Sequence, residues 1–418
     1  MEFVGKLIIW LAPVTGFPFF KTIFRESSGE GLLYAILMVS PIVVLHGFKG
    51  YFVVIKPVKM LLTVLFCCLI FILFKSEHLN IVFMGRTGFS RFFSQILSLL
   101  FVIYAMILMS NVFLRIKLKR LLSIILKVFY IQIFIIYLQF LVYYLNVGFL
   151  LQIYESVFSL IIENEVLMNS LGRPHGLAKE PSHLAIFILV CWPIYLFKNN
   201  FFSLKTFLIL LGLTSLQSRS LSIMILLQSL AFYLTSSKRQ LKLLPYFNLL
   251  VFILLVFYVF GDFLQSSIDI EKSGSTFTRF VALYSSFQVF LEFPLFGAGF
   301  GLTSFFSAEY FGEFGLFSNE VRDVVNGERL PFIHNMHLRM LSDLGLIGFL
   351  IWLRLIIFQT RLSKKIHRTS PYKPLVFALS LIYPLIFFTK ENIAFMNIWL
   401  YTVILFCIYF QTKNVIKT

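Results

Sequence analysis

Residues 92–114 read FFSQILSLLFVIYAMILMSNVFL, and the six that follow, Arg115-Ile116-Lys117-Leu118-Lys119-Arg120, carry four basic side chains. A helix needs roughly 20 apolar residues to cross ~30 Å of hydrocarbon, and this run supplies them. The basic stretch after it is of the kind retained on the cytoplasmic side of a membrane. Working outward from it, similar apolar runs predict twelve spans, at about 6–20, 31–48, 58–74, 92–114, 121–145, 182–197, 201–217, 220–235, 244–264, 338–359, 375–389 and 393–411. The first run, Leu7 to Phe20, is interrupted by Pro13 and Pro18 and is followed by no small-x-small cleavage site, so it reads as an imperfect span and not a removed signal peptide.

Composition gives the same class. Of 418 residues 59% are hydrophobic and the mean hydropathy is +0.89, more apolar surface than a soluble fold hides. The runs have the length of helices and lack the ten-residue alternation of a membrane barrel. The expectation is an all-α polytopic membrane protein of about 12 transmembrane helices, with residues 1–418 as a single integral membrane domain. The four cysteines, Cys67, Cys68, Cys191 and Cys407, all lie in apolar runs and read as small hydrophobes, neither disulfides nor metal ligands.

Lys and Arg number 36 against 19 Asp and Glu, a formal charge of +17. In a soluble protein that balance suggests a nucleic-acid partner. Here the basic residues cluster after alternate spans: Arg115 to Arg120, Lys198 with Lys205, Lys238-Arg239 with Lys242, and Arg361, Lys364, Lys365, Arg368 and Lys373. All four clusters fall on one side, which is therefore expected to be cytoplasmic and to hold both termini, with no nucleic acid involved. The opposite face then carries 21–30, 75–91 and two long outer loops, about 146–181 and 265–337. In the second, Phe280, Val281, Leu283, Phe287, Phe290 and Leu291 recur at mostly helical spacing between Thr276 and Leu291, which predicts an amphipathic helix lying in the interface.

Both loops hold candidate chemistry. The first ends in Arg173-Pro174-His175-Gly176-Leu177-Ala178-Lys179-Glu180-Pro181-Ser182-His183, a polar island between hydrophobic runs, with Pro181 expected to open a helix. Ionisable groups beside hydrocarbon are costly unless they meet water, a partner or a substrate; a solvated loop with interfacial anchors is the plainer alternative. The second contains Pro294-Leu295-Phe296-Gly297-Ala298-Gly299-Phe300-Gly301, whose alternate glycines let backbone approach a ligand or turn unusually. No βαβ unit surrounds it, so a nucleotide fingerprint is rejected. His334, at the mouth of the tenth span, is a candidate base, set against a structural hydrogen-bonding role. Arg219, the only charge between Lys205 and Lys238, offers a fork of donors suited to phosphate, set against a snorkelling anchor. Arg279 lies on the interfacial segment, where lipid phosphate is the plain reading. No HExxH, CxxC, Walker loop or GxSxG occurs.

Taken in order, Arg173-x-x-Gly176-x-x-x-Glu180-Pro181-Ser182, Ser218-Arg219-Ser220, Arg279 with Pro294-x-x-Gly297-x-Gly299-x-Gly301, and His334-Asn335 followed by Gly345-x-x-Gly348 resemble the O-antigen ligase and Wzy-type polymerase superfamily. The resemblance covers about the last two-thirds of the chain in motif and all of it in topology. It implies a metal-independent inverting glycosyltransferase with no cofactor, acting on undecaprenyl-pyrophosphate-linked oligosaccharide at the outer, periplasmic face of the bacterial cytoplasmic membrane. Arg219, Arg279 and His334 match the catalytic pattern; Glu180 is expected to orient the histidine or serve as the base. Arg173, His175, Lys179, His183, Gly297, Gly299, Gly301 and Asn335 are expected to bind substrate. The chain departs from the pattern in Asp343, where Glu is common, and in an added basic residue, Lys179. The function implied is a surface-polysaccharide polymerase, with the bilayer, a chain-length regulator and a flippase as partners. A ligase passing finished glycan to lipid A-core or protein is the near alternative, and a repeat-unit flippase the alternative of another class.

Overall fold

A computed structural model describes residues 1–15, 31–47, 53–145, 174–199, 203–216, 218–236, 274–314, 319–333, 335–366, 370–387 and 395–415, with isolated positions 149, 152 and 156. Helices dominate it: α1 (Glu2–Leu11), α2 (Gly31–Leu45), α3 (Ile55–Phe74), α4 (Gly88–Leu114), α5 (Leu118–Leu145), α6 (Pro181–Lys198), α7 (Leu204–Ser215), α8 (Arg219–Thr235), α9 (Gly274–Glu292), α10 (Asn319–Val325), α11 (Met336–Thr360), α12 (Lys373–Ile386) and α13 (Met396–Val415). Two two-residue strands, β1 (Val82–Phe83) and β2 (Arg86–Thr87), form a hairpin ahead of α4. Among the described residues four helices, α4, α5, α6 and α11, are long and apolar enough to cross a membrane, and α2, α7, α8 and α12 are shorter apolar helices. Helices lie where most of the apolar runs predict them, although α1 stops at Leu11. The run at 244–264 lies outside the described residues.

Side-chain and backbone bonds fix the two ends of the bundle. At one end Arg120 Nε donates to Glu2 (2.9 Å), Arg115 Nη2 donates to the His46 and Gly47 carbonyls, and Gln411 Nε2 reaches the Ile116 carbonyl (3.2 Å). The start of α1, the end of α2, both sides of the α4–α5 turn and the end of α13 therefore share this basic end. At the other end Gly31 N donates to the Val14 carbonyl (2.8 Å), Thr15 N to Leu177 (3.2 Å) and Met336 N to Phe387 (2.8 Å), while the His183 ring packs edge-on to Phe395 at 5.1 Å. Here α6, α11 and α13 begin and α12 ends. The α7 helix rises alongside α5, with Lys205 over the Tyr130 ring and the Tyr137 hydroxyl bonded to the Leu208 carbonyl, so α8 begins at this second end too. Polar side chains inside apolar runs tie helix to helix: Trp192 Nε1 donates to Ser229 (2.8 Å) and Gln228 Nε2 to the Leu189 carbonyl (2.8 Å).

The α9 helix meets the expectation of a helix between Thr276 and Leu291 but divides its faces differently. Val281, Ala282, Ser285, Ser286 and Val289 are buried, and Val281 and Ala282 join Phe311, Val321, Val324 and Phe332 in a small second core. Phe280, Leu283, Phe287 and Leu291 form the exposed apolar stripe. Val281 thus belongs to the inward face, because a residue one position from Phe280 is turned about 100° around the helix.

Candidate functional site

The two glycine motifs meet. Gly345 adopts φ 63°, ψ −168° inside α11 and breaks its ladder, which frees the carbonyls of Ser342 and Asp343 and the amides of Leu346 and Ile347. The turn 294–299 takes up all four: Ala298 N donates to Ser342 O (2.9 Å), Gly299 N to Asp343 O (2.9 Å), Leu346 N to Pro294 O (2.8 Å) and Ile347 N to Leu295 O (3.4 Å). A β-carbon on Gly297 would collide with the Asp343 carbonyl and the Leu344 amide, and one on Gly345 with Leu295. The backbone that Gly297 and Gly299 approach is therefore the chain's own, with Gly301 lying against the Gln95 side chain of α4.

A buried charge network sits beneath this joint. Arg339 Nε donates to Asp343 Oδ2 (3.2 Å) and Arg339 Nη2 to Gln95 Oε1 (2.8 Å). Asp343 Oδ1 accepts from Thr303 N (3.1 Å) and Thr303 Oγ1 (2.5 Å). Arg339 is 5% exposed and Asp343 fully buried, so each charge is held because the other is there. At the rim His78 Nδ1 donates to the Ala298 carbonyl (2.9 Å) within a box of Phe71, Phe293 and Phe306. Asn335 caps α11, its Oδ1 accepting from His337 N (2.9 Å) and Leu338 N (3.1 Å). The residue before it, His334, lies outside the described residues, as does Arg173. His337 is satisfied on both nitrogens, Nε2 bonding to the Pro384 carbonyl and Nδ1 accepting from Trp352 Nε1; that pairing marks it as structural.

The polar island before α6 is equally anchored. Gln139 Oε1 accepts from His175 N and Gly176 N, both at 2.8 Å, and its Nε2 donates to the Gly176 carbonyl (2.9 Å). Gln132 Oε1 accepts from Leu177 N (3.1 Å), and Lys179 N donates to Thr15 Oγ1 (2.7 Å). Beyond this latch Lys179 and Glu180 are exposed, with Ser182 Oγ donating to Glu180 Oε2 (3.3 Å). Glu180 and Pro181 open α6 as cap and first residue. His183 follows in the first turn, half-buried against Phe395.

His175 is fully buried. Its Nδ1–H donates to the Ala178 carbonyl (2.6 Å), leaving Nε2 as a buried acceptor without a partner. Burial lowers its pKa from the ordinary 6.5, partly opposed by the Ala178 bond. The unfolded chain then binds the proton more readily than the fold does, so this contribution is fully present above the ordinary value and is lost as pH falls through it. The melting temperature of detergent-solubilised protein is expected to drop between about pH 7.5 and pH 5.5, and to drop less steeply in His175→Gln. Equal slopes in the two proteins would refute the assignment.

Arg219 is the first residue of α8, with Ser218 as its N-cap, and Arg279 is exposed on α9. The structure thus brings the α6, α8 and α11 N-terminal ends, carrying Glu180, Arg219 and the residue after His334, to one end of the bundle. Sequence reasoning missed Gln95, Gln132, Gln139, Thr303 and Arg339. For four of them the signal was available: a glutamine or arginine inside a membrane-length apolar run is costly unless it is paired. Among the described residues His, Cys, Asp and Glu side chains nowhere gather in threes as metal ligands.

Compared with known proteins, residues 204–353 match a family model described as O-Antigen ligase. The matched segment runs from α7 into α11 and takes in Arg219, Arg279, the glycine joint, His334, Arg339 and Asp343; Glu180 and the latch before α6 lie ahead of it. No curated protein matches the chain.

Proposed function

We propose, from the match of residues 204–353 to a family model described as O-Antigen ligase, that the chain is a surface-polysaccharide polymerase, moving a growing glycan from undecaprenyl pyrophosphate onto the next lipid-linked repeat unit. The observation that carries this reading is the convergence of three helix N-termini at one end of the bundle, with Glu180, Arg219 and Asn335 at them. Helix N-termini carry partial positive charge, which suits a pyrophosphate.

In the proposed reaction the acceptor hydroxyl attacks the anomeric carbon, the new carbon–oxygen bond forms on the face opposite the pyrophosphate, and the carbon–oxygen bond to pyrophosphate breaks with inversion. His334 takes the hydroxyl proton as general base, with Glu180 as its orienting partner. Arg219 and Arg279 stabilise the charge that gathers on the leaving pyrophosphate oxygens. The basic end of the bundle lies in the cytoplasm and the site end outside it. A ligase is the second reading, favoured by the description of the matching family.

The glycan ladder of a deletion strain tests this. Loss of a polymerase leaves a lipid core bearing one repeat unit, loss of a ligase leaves a core with no glycan, and an unchanged ladder removes both readings. Since the arginines carry the phosphate charge, purified enzyme is expected to keep its turnover in EDTA. Loss of activity in EDTA with recovery on adding Mg²⁺ or Mn²⁺ would count against that division of labour.

A further inference from the structure

The end of the bundle remote from the candidate site has a feature that polysaccharide transfer does not use. Lys56, at the start of α3, and Lys365, in the turn after α11, both set their ammonium groups over the Phe358 ring, at 5.1 and 4.6 Å from its centroid. Lys413, near the end of α13, is close enough to act on Lys365, whose pKa is lowered by burial and then by repulsion from Lys56 and Lys413. All three are exposed, and among the described residues no carboxylate forms an ion pair with any of them. Three separate elements therefore hold three like charges together, an arrangement that favours an anion.

The surroundings say which kind of anion. On α11 Leu346, Leu350, Arg354 and Ile357 are exposed at helical spacing and form one stripe running toward Phe358. On the adjoining α3, Leu62, Phe66 and Leu69 are exposed at helical spacing as well. These stripes suit acyl chains. Arg354, a charge set within the apolar stripe one turn before Phe358, is costly beside hydrocarbon unless its head reaches the headgroup layer. We propose that Lys56, Lys365 and Lys413, with Arg354, form a binding site for the phosphate headgroup of an anionic phospholipid, its acyl chains lying along the exposed stripes of α3 and α11.

The test is native mass spectrometry of the full chain in detergent, titrated with phosphatidylglycerol or phosphatidylcholine. Phosphatidylglycerol should bind in preference. The K56Q/K365Q/K413Q variant should bind it at least about tenfold more weakly, because its three lost charges act on one headgroup. A control with equal charge loss at dispersed exposed positions of the same chain, R86Q/K198Q/R322Q, should stay within about twofold, since separated surface charges are screened. Circular dichroism and melting temperature check that each protein is folded; if the triple variant is not recovered, K365Q alone carries the comparison, with about threefold weaker binding expected. Equal losses in target and control variants would mean diffuse attraction and overturn the site. So would equal binding of the two lipids, or displacement of phosphatidylglycerol by millimolar inorganic phosphate, which would make the ligand a free anion.

Discussion

Glycan transfer by His334→Ala is expected to fall by about 10²–10⁴-fold, the range a positioned general base contributes. Arg219→Lys is expected to lose about 10²–10³-fold, because an ammonium keeps the charge but gives up the planar two-point grip on phosphate oxygens. A lipid anchor at position 219 would tolerate that change, which is why lysine discriminates better than alanine. If the two residues serve one transition state, adding Arg219→Ala to His334→Ala costs little beyond either alone, since groups acting as a unit give non-additive losses. Polymer length and turnover are to be measured for each variant at matched membrane abundance. Near-normal product from both Arg219→Lys and His334→Ala would reduce these residues to structural anchors and leave Glu180 and Arg173 as the better candidates.

What the sequence makes legible follows from what is local. Apolar runs of membrane length are a property of neighbouring residues, so α2, α4, α5, α6 and α11 fall where the runs lie. Pro181 opens α6 because proline at a first helical position costs no hydrogen bond. The glycine joint is the opposite case. Gly297 and Gly345 are each readable as points of unusual backbone, but the surface each one approaches belongs to the other's segment, and no local pattern carries that pairing. The latch before α6 hides in the same way: His175 looks like an exposed ligand-binding residue in a polar island, yet its backbone is held by Gln139 from a helix well back along the chain. Arg339 and Asp343 are local to one another, four residues apart, and the rule that intramembrane charges pair applies to them directly. Their link to Gln95 and Thr303 is long-range and emerges only from the fold.

Asp343→Ala is expected to destabilise the protein by about 3–5 kcal/mol, the usual cost of leaving one partner of a buried ion pair uncompensated. The loss extends beyond Arg339, because Asp343 also holds the amide and hydroxyl of Thr303, and Thr303 follows directly on the glycine turn that locks into α11. Removing both charges should be gentler than removing one. Buried pairs contribute little net stability over apolar groups of similar volume, so Arg339→Leu with Asp343→Leu should lose less than the sum of the two single changes. Asp343→Glu restores the charge but adds a methylene to a closely packed site, for which about 1–3 kcal/mol is expected. Melting temperatures in detergent and membrane yield of the five variants, the two single leucine changes included, decide the matter. Equal stability of Asp343→Ala and wild type, or strict additivity in the double variant, would show that the pair does not hold the joint. The activity of the double variant then separates two roles: a folded but inactive protein means that the network also positions the cap at Asn335 and the histidine before it, whereas retained activity confines Arg339 and Asp343 to packing.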